Sequence, residues 1–197
     1  MKKLLFALFS LIFCLTSLFA NEAAVKETII RDIKFAADGK FEETLKYYTQ
    51  DVVSINLDEN RKLYYKDILL MTKAMDGNHP EEFILMVYKA QSDKDPDPKL
   101  EKTLRAYART EQFQLGYPKL CDMMVSIVKQ ASEIELKTIK FIKVEIKGNL
   151  ATVITEYESL DVTKKELNST NRKTSTCKLR KVNGVWMFYE RSSKKVK

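Results

Sequence analysis

The chain has 197 residues, with 34 Lys+Arg against 27 Asp+Glu, a single His and three Cys. Five Gly, four Pro and 45% hydrophobic residues exclude collagen-like, low-complexity and wholly disordered chains. The length suits one domain with a sizeable core.

Lys2 and Lys3 precede an apolar run from Leu4 to Leu15, and Ser17-Leu18-Phe19-Ala20 ends in a small residue before Asn21. This is the pattern of a secretory signal cleaved after Ala20, so residues 1–20 read as a signal peptide and 21–197 as the domain. Bulky Phe13 before Cys14 argues against a lipid anchor there. The short Met-Lys-Lys start points to a bacterial chain and a periplasmic or secreted product. No later stretch reaches about 18 consecutive apolar residues. The domain keeps Cys121 and Cys177, an even pair in an oxidising compartment. A bridge between them would contribute roughly 4 kcal/mol by chain entropy. The other reading is two buried free thiols.

Val25, Ile29, Ile33, Ala36 and Ala37 recur at helical spacing, which predicts an amphipathic helix over 23–37. Asp38-Gly39 breaks it, and Phe41, Leu45 and Tyr48 predict a second helix to about Thr49. Val52 to Leu57 reads as a strand, pairing back through Asp58-Glu59-Asn60 with Lys62 to Tyr65. Helices then follow at Ile68 to Met75, from Pro80 with Asn78 and Glu81 at capping-box spacing, and from Pro98 after Asp97. Gly116-Tyr117-Pro118 predicts a break, and Leu120, Met124, Ile127, Val128 and Ala131 a last helix. After Ser132 the period changes from 3.6 to 2, with strands at Thr138 to Ile146, Leu150 to Tyr157, Asn171 to Val182 and Val185 to Arg191. Asn183-Gly184 is a strong hairpin signal, because both turn residues need φ > 0. Helices followed by such a meander predict an α+β domain with an antiparallel sheet.

Two stretches resemble a known family. Gly39-Lys40-Phe41-Glu42-Glu43-Thr44-Leu45 with Tyr47-Tyr48-Thr49-Gln50-Asp51-Val52-Val53 is similar to the opening of the nuclear transport factor two-like superfamily, also called SnoaL-like or ketosteroid-isomerase-like. Lys181-Val182-Asn183-Gly184-Val185-Trp186-Met187-Phe188 resembles its closing strand. The resemblance spans about 23–72 and 134–193, and the helical stretch 78–133 reads as an insertion. It implies a curved antiparallel sheet wrapped around a helix, the cystatin-like cone. Tyr47, Tyr48, Tyr64, Tyr65, Tyr157, Trp186 and Phe188 are then wall residues. Of these, Tyr48, Tyr64, Tyr157, Trp186 and Phe188 are the candidate ligand contacts. The superfamily hosts enzymes, ligand binders and scaffolds, so the fold does not fix the activity.

Catalytic candidates are few. Asp51, Glu145 and Glu156 are the acids that a cavity would turn into a base by burial. Glu156 shares the phase of Leu150, Thr152 and Ile154, which makes it the inward acid if that face is the core. His79 sits at a helix start beside Pro80, where a capping role is the simple account. One His and no Cys-x-x-Cys argue against zinc. Asp93, Asp95 and Asp97 imitate an EF-hand opening, but Pro98 and Leu104 occupy positions that motif needs as Gly and Glu. No metal and no cofactor are implied. Residues 172–197 carry nine Lys+Arg against Glu190 alone, a basic end suited to an anionic surface and not, in that compartment, to nucleic acid. Asn168-Ser169-Thr170 matches the glycosylation triplet by pattern only.

The sequence thus favours an exported, non-enzymatic α+β domain that binds a small apolar ligand or a protein partner through the cone or the sheet. A homodimer through the sheet is one form of the partner reading. The rival is an isomerase, dehydratase or hydrolase using a buried acid and tyrosines.

Overall fold

A computed structural model describes residues 21–161 and 169–196. The expected signal segment, Asn168 of the glycosylation triplet and Lys197 lie outside the described residues.

The first helix, α1, covers residues 21–37. Val25, Ile29 and Ile33 on one face are at most 3% exposed and anchor the main core. Asp38 and Gly39 end it, with Gly39 at φ +75°, a conformation that a side chain disfavours. α2 is a single turn, Phe41–Leu45, shorter than the periodicity predicted. Tyr48 already belongs to β1, Tyr48–Asn56, because it stacks on Phe188 at 5.3 Å between ring centroids. β2, Arg61–Tyr64, pairs back on β1 as the hairpin signal required, with Val53 opposite Tyr64.

Three helices follow: α3 (Tyr65–Ala74), α4 (Pro80–Ser92) and α5 (Pro98–Ala108). Asp97 caps α5 by accepting from the Leu100 amide at 2.8 Å. The Asn78–Glu81 capping box does not form: His79 is the N-cap of α4, and the Asn78 amide turns back to Asp76. The helix α6 runs from Glu111 to Thr138 without the break expected at Gly116-Tyr117-Pro118. Phe113, Tyr117 and Cys121, buried on one face, hold that segment helical, so packing overrides the local breaker signal.

Four strands close the chain: β3 (Lys140–Lys147), β4 (Leu150–Leu160), β5 (Thr170–Val182) and β6 (Val185–Lys195). The result is α+β, with helices packed on a six-stranded curved sheet of order β2-β1-β6-β5-β4-β3. One pairing departs from the antiparallel expectation. β1 runs parallel to β6, which is possible because more than a hundred residues separate them and a parallel pair needs a long crossover.

The described residues form two hydrophobic cores. One lies between α1 and the sheet and contains Val52, Val153, Leu179, Trp186 and Phe188. The other lies among α3 to α6 and contains Phe83, Met86, Phe113 and Tyr117. The predicted insertion is therefore a helical layer with its own interior, tied together by the edge-on pair Phe83–Tyr117 at 5.2 Å.

Cys177 lies in the first core and Cys121 in the second, and both thiols are free, so the bridge weighed from sequence does not form. Cys121 donates to the Ala74 carbonyl at 3.6 Å, and burial pushes both thiols up. We expect intact mass to be identical with and without reductant, and both thiols to react with a thiol reagent only after unfolding. A mass 2 Da lower before reduction would contradict the arrangement.

Candidate functional site

At the seam between the two cores lies a cavity of about 360 Å³. Its apolar wall includes Ile33, Phe41, Ile55, Ile68, Met71 and Val128. Its polar end is built by Asp32 of α1, Glu135 of α6, Arg191 of β6 and the two tyrosines Tyr48 and Tyr157.

Each polar residue reaches the cavity for a local reason. Asp32 follows Val25, Thr28 and Ile29 on the buried stripe of α1 and is 4% exposed. Glu135 continues the α6 face that carries Val128 and Ser132. Arg191 is inward because β6 contains a β-bulge: Phe188 pairs with Leu179 and Glu190 with Lys178, leaving Tyr189 unmatched. The extra residue reverses the alternation, so Arg191 shares the face of Trp186, Phe188 and Cys177.

Arg191 bridges two carboxylates, with Nη1 3.3 Å from Asp32 Oδ2 and Nη2 3.1 Å from Glu135 Oε1. Tyr48 donates its hydroxyl to the same Asp32 Oδ2 at 3.1 Å. Asp32 Oδ1 is buried and has no hydrogen-bond partner. Arg61 Nε, Tyr117 Oη and Trp186 Nε1 share that condition among the described residues, but only Asp32 lines this cavity.

Burial pushes Asp32 up to about 6, against the opposing pull of Arg191 and the Tyr48 hydroxyl. Burial also raises Glu135, partly offset by Arg191. It raises Tyr48, with the Asp32 charge adding to it, and pushes Tyr157 up to about 12. Burial works against the Arg191 charge, but Glu135 and its other neighbours outweigh it and keep the guanidinium protonated. The site thus holds one fixed cation, two acids that resist ionisation and two neutral phenols.

The residues singled out by sequence divide. Tyr48 and Tyr157 line the cavity. Trp186 and Phe188 are 2% and 0% exposed in the core behind it, and Tyr64 is 49% exposed at the edge hairpin. Asp51 pairs with Arg180 on the outer face, and the Thr49 hydroxyl does most to lower its pKa. Lys147 and Lys143 hold Glu145 down to about 2 on the surface. Glu156 pairs with Arg172, because Ala151, Val153, Thr155 and Tyr157, not the phase of Leu150, face the helices. None of the three lines the cavity. His79 Nδ1 lies 2.7 Å from Asp76 Oδ2, and neither residue lines this cavity. Asp93 and Asp95 pair with Arg61 and with Lys66 and Lys89.

Sequence reasoning missed Asp32, Glu135 and Arg191. A charged residue in phase with Val25 and Ile29 was the available signal for Asp32. Glu135 was hidden by placing the helix end too early, and nothing in a single sequence announces the bulge that turns Arg191 inward.

No family model matches the sequence, and no curated protein matches it. Solved structures do resemble the chain. An NTF-2-like protein of unknown function from Shewanella oneidensis is 11% identical, with 88% of this chain and 98% of that one covered and a TM-score of 0.47. An NTF2-like protein with a cystatin-like fold from Novosphingobium aromaticivorans is 8% identical over 94% and 88%, at 0.49. A ketosteroid isomerase-like protein from Erwinia carotovora is 10% identical over 89% and 95%, at 0.45. The likeness is one of fold.

The raised Asp32 pKa has a sign. The ordinary carboxylate ionises near 4, so between about pH 4 and 6 the native state holds a proton that the unfolded chain has released. Asp32 therefore favours folding below about pH 4, and that contribution falls as pH rises to about 6. Urea midpoints of Asp32→Asn between pH 4 and 7 should show a flatter slope than the unmodified protein, with a remainder from Glu135. Equal slopes would contradict the assignment. Arg191→Met, which strands two buried acids, should cost about 3–5 kcal/mol at pH 7.

Proposed function

We propose that this chain is an exported binding protein, not an enzyme. It holds a small amphipathic molecule in the cavity, with the ligand's polar end donating a hydrogen bond to Asp32. The observation that carries this reading is Asp32 Oδ1, buried on the cavity wall without a donor. An unsatisfied buried acceptor costs about 1–3 kcal/mol, which a ligand donor recovers. Two carboxylates flank one guanidinium, so the polar end favours a cationic or neutral donor over an anion. The apolar wall receives the remainder of the ligand.

Calorimetric titration of one carbon skeleton as its primary amine, alcohol and carboxylate tests this reading. The expected order is amine, then alcohol, then carboxylate, and Asp32→Asn should weaken the amine about tenfold. Tightest binding by the carboxylate would overturn it.

Export is supported by Lys2, Lys3, the apolar run and Ala20. The full-length gene product expressed in a bacterium should yield a periplasmic species beginning at Asn21. Retention of residues 1–20 in a cytoplasmic product would overturn that part.

A second reading has one observation in its favour. A carboxyl poised near 6, with one free oxygen toward a cavity and a tyrosine on the other, has the properties of a general base. Asp32-dependent exchange of a carbon-bound hydrogen with deuterated solvent, in a bound ketone, would favour it over simple binding.

A further inference from the structure

A second chamber of about 250 Å³ lies between α3, α4 and α6. Leu70, Met86, Val87 and Met124 line it, and Leu63 and Met71 line both this chamber and the cavity that holds Asp32. The two spaces are therefore neighbours across two side chains, one from β2 and one from α3. Met71 is unbranched and has three rotatable bonds, so a rotamer change moves it without moving the backbone.

Polarity differs sharply between the chambers. The first ends in Asp32, Glu135 and Arg191. In the second, the charged groups at the rim are paired as ions, although Arg61 Nε has no hydrogen-bond partner. Lys89 Nζ lies 2.5 Å from both Asp67 Oδ1 and Asp95 Oδ1, and Arg61 Nε lies 3.3 Å from Asp93 Oδ1. Asp67 Oδ2 also accepts from the Tyr64 amide at 2.8 Å. The remaining wall offers aliphatic and thioether surface, which adapts to a flexible chain better than to a rigid ring.

We infer that the ligand is a long-chain amphipath, whose head meets Asp32 and whose aliphatic tail passes Met71 and Leu63 into the second chamber. This rests on the binding reading above and names the class of molecule it takes. At about 250 Å³, the second chamber has room for several chain carbons beyond those held in the first.

The test uses the mature protein and straight-chain primary amines from butyl to tetradecyl, titrated calorimetrically below their micelle concentrations. Affinity should rise about fourfold per methylene across most of the series. Met71→Trp, which blocks the passage between the two spaces, should make affinity level off several carbons earlier. Ala90→Trp fills the chamber from an exposed rim position that tolerates bulk, and should level the series in the same way should Met71→Trp misfold. Levelling at the same length in the unmodified protein and in the folded variants would overturn the inference while the head-group reading stands. Failure of every amine to bind would remove both.

Discussion

One guanidinium joins three distant parts of the chain. Arg191 comes from the last strand, Asp32 from the first helix and Glu135 from the end of the longest helix. Burying a charge is costly unless it is paired and hydrogen-bonded, so this contact constrains geometry more than it adds stability. A helix–sheet interface of this size is ordinarily apolar throughout. Here α1 presents Val25, Ile29 and Ile33 to the core, and the same face ends in a carboxylate. The apolar stripe fixes the helix, and the ion pair fixes which turn of it sits beside β6.

The cavity exists because two cores meet without merging. Phe188, Leu179 and Val153 fill the space under α1, while Phe83, Phe113 and Tyr117 fill the space among the later helices. Between them, Met71 of α3 and Val128 of α6 face Ile55 of β1 and Tyr157 of β4 across open space. The helical layer thus supplies the far wall of a site whose polar floor belongs to the sheet and to α1. The basic C-terminal hairpin has a different standing: Arg172, Lys178, Arg180 and Arg191 each have an acid partner, so much of its formal charge is neutralised locally.

The elements were legible from the sequence where one local signal dominated. Asn183-Gly184 gave the last hairpin, with Asn183 and Gly184 both at positive φ, and Asp97-Pro98 gave a capped helix start. Failures fell where long-range packing overrules local preference. Pro118 sits inside a helix because its neighbours are buried, and Tyr48 leaves a helical pattern to stack on a strand 140 positions away. The site was less legible than the fold. Tyr48 and Tyr157 were found as aromatic wall residues, but alternation cannot choose between the two faces of β4, and it fails outright after the bulge at Tyr189. Asp51 stands out only through the family resemblance, and Glu145 and Glu156 only through their place in or beside strands. Burial, which raises an acid's pKa, marks Asp32 and Glu135 instead.

The parallel seam between β1 and β6 also sets an order of events in folding. Val53 of β1 pairs with Glu190, and Tyr48 with Phe188, so an interior strand made early has no inner neighbour until the last strand is made. Until then β1 has only the short β2 beside it, and α1 has no Arg191 for its buried carboxylate. Local helices and the β3–β5 meander can assemble beforehand, but closure of the sheet waits for contacts of very long sequence separation, the kind that slows folding most. Pairing of β6 with β1 is thus the contact of longest sequence separation in the sheet.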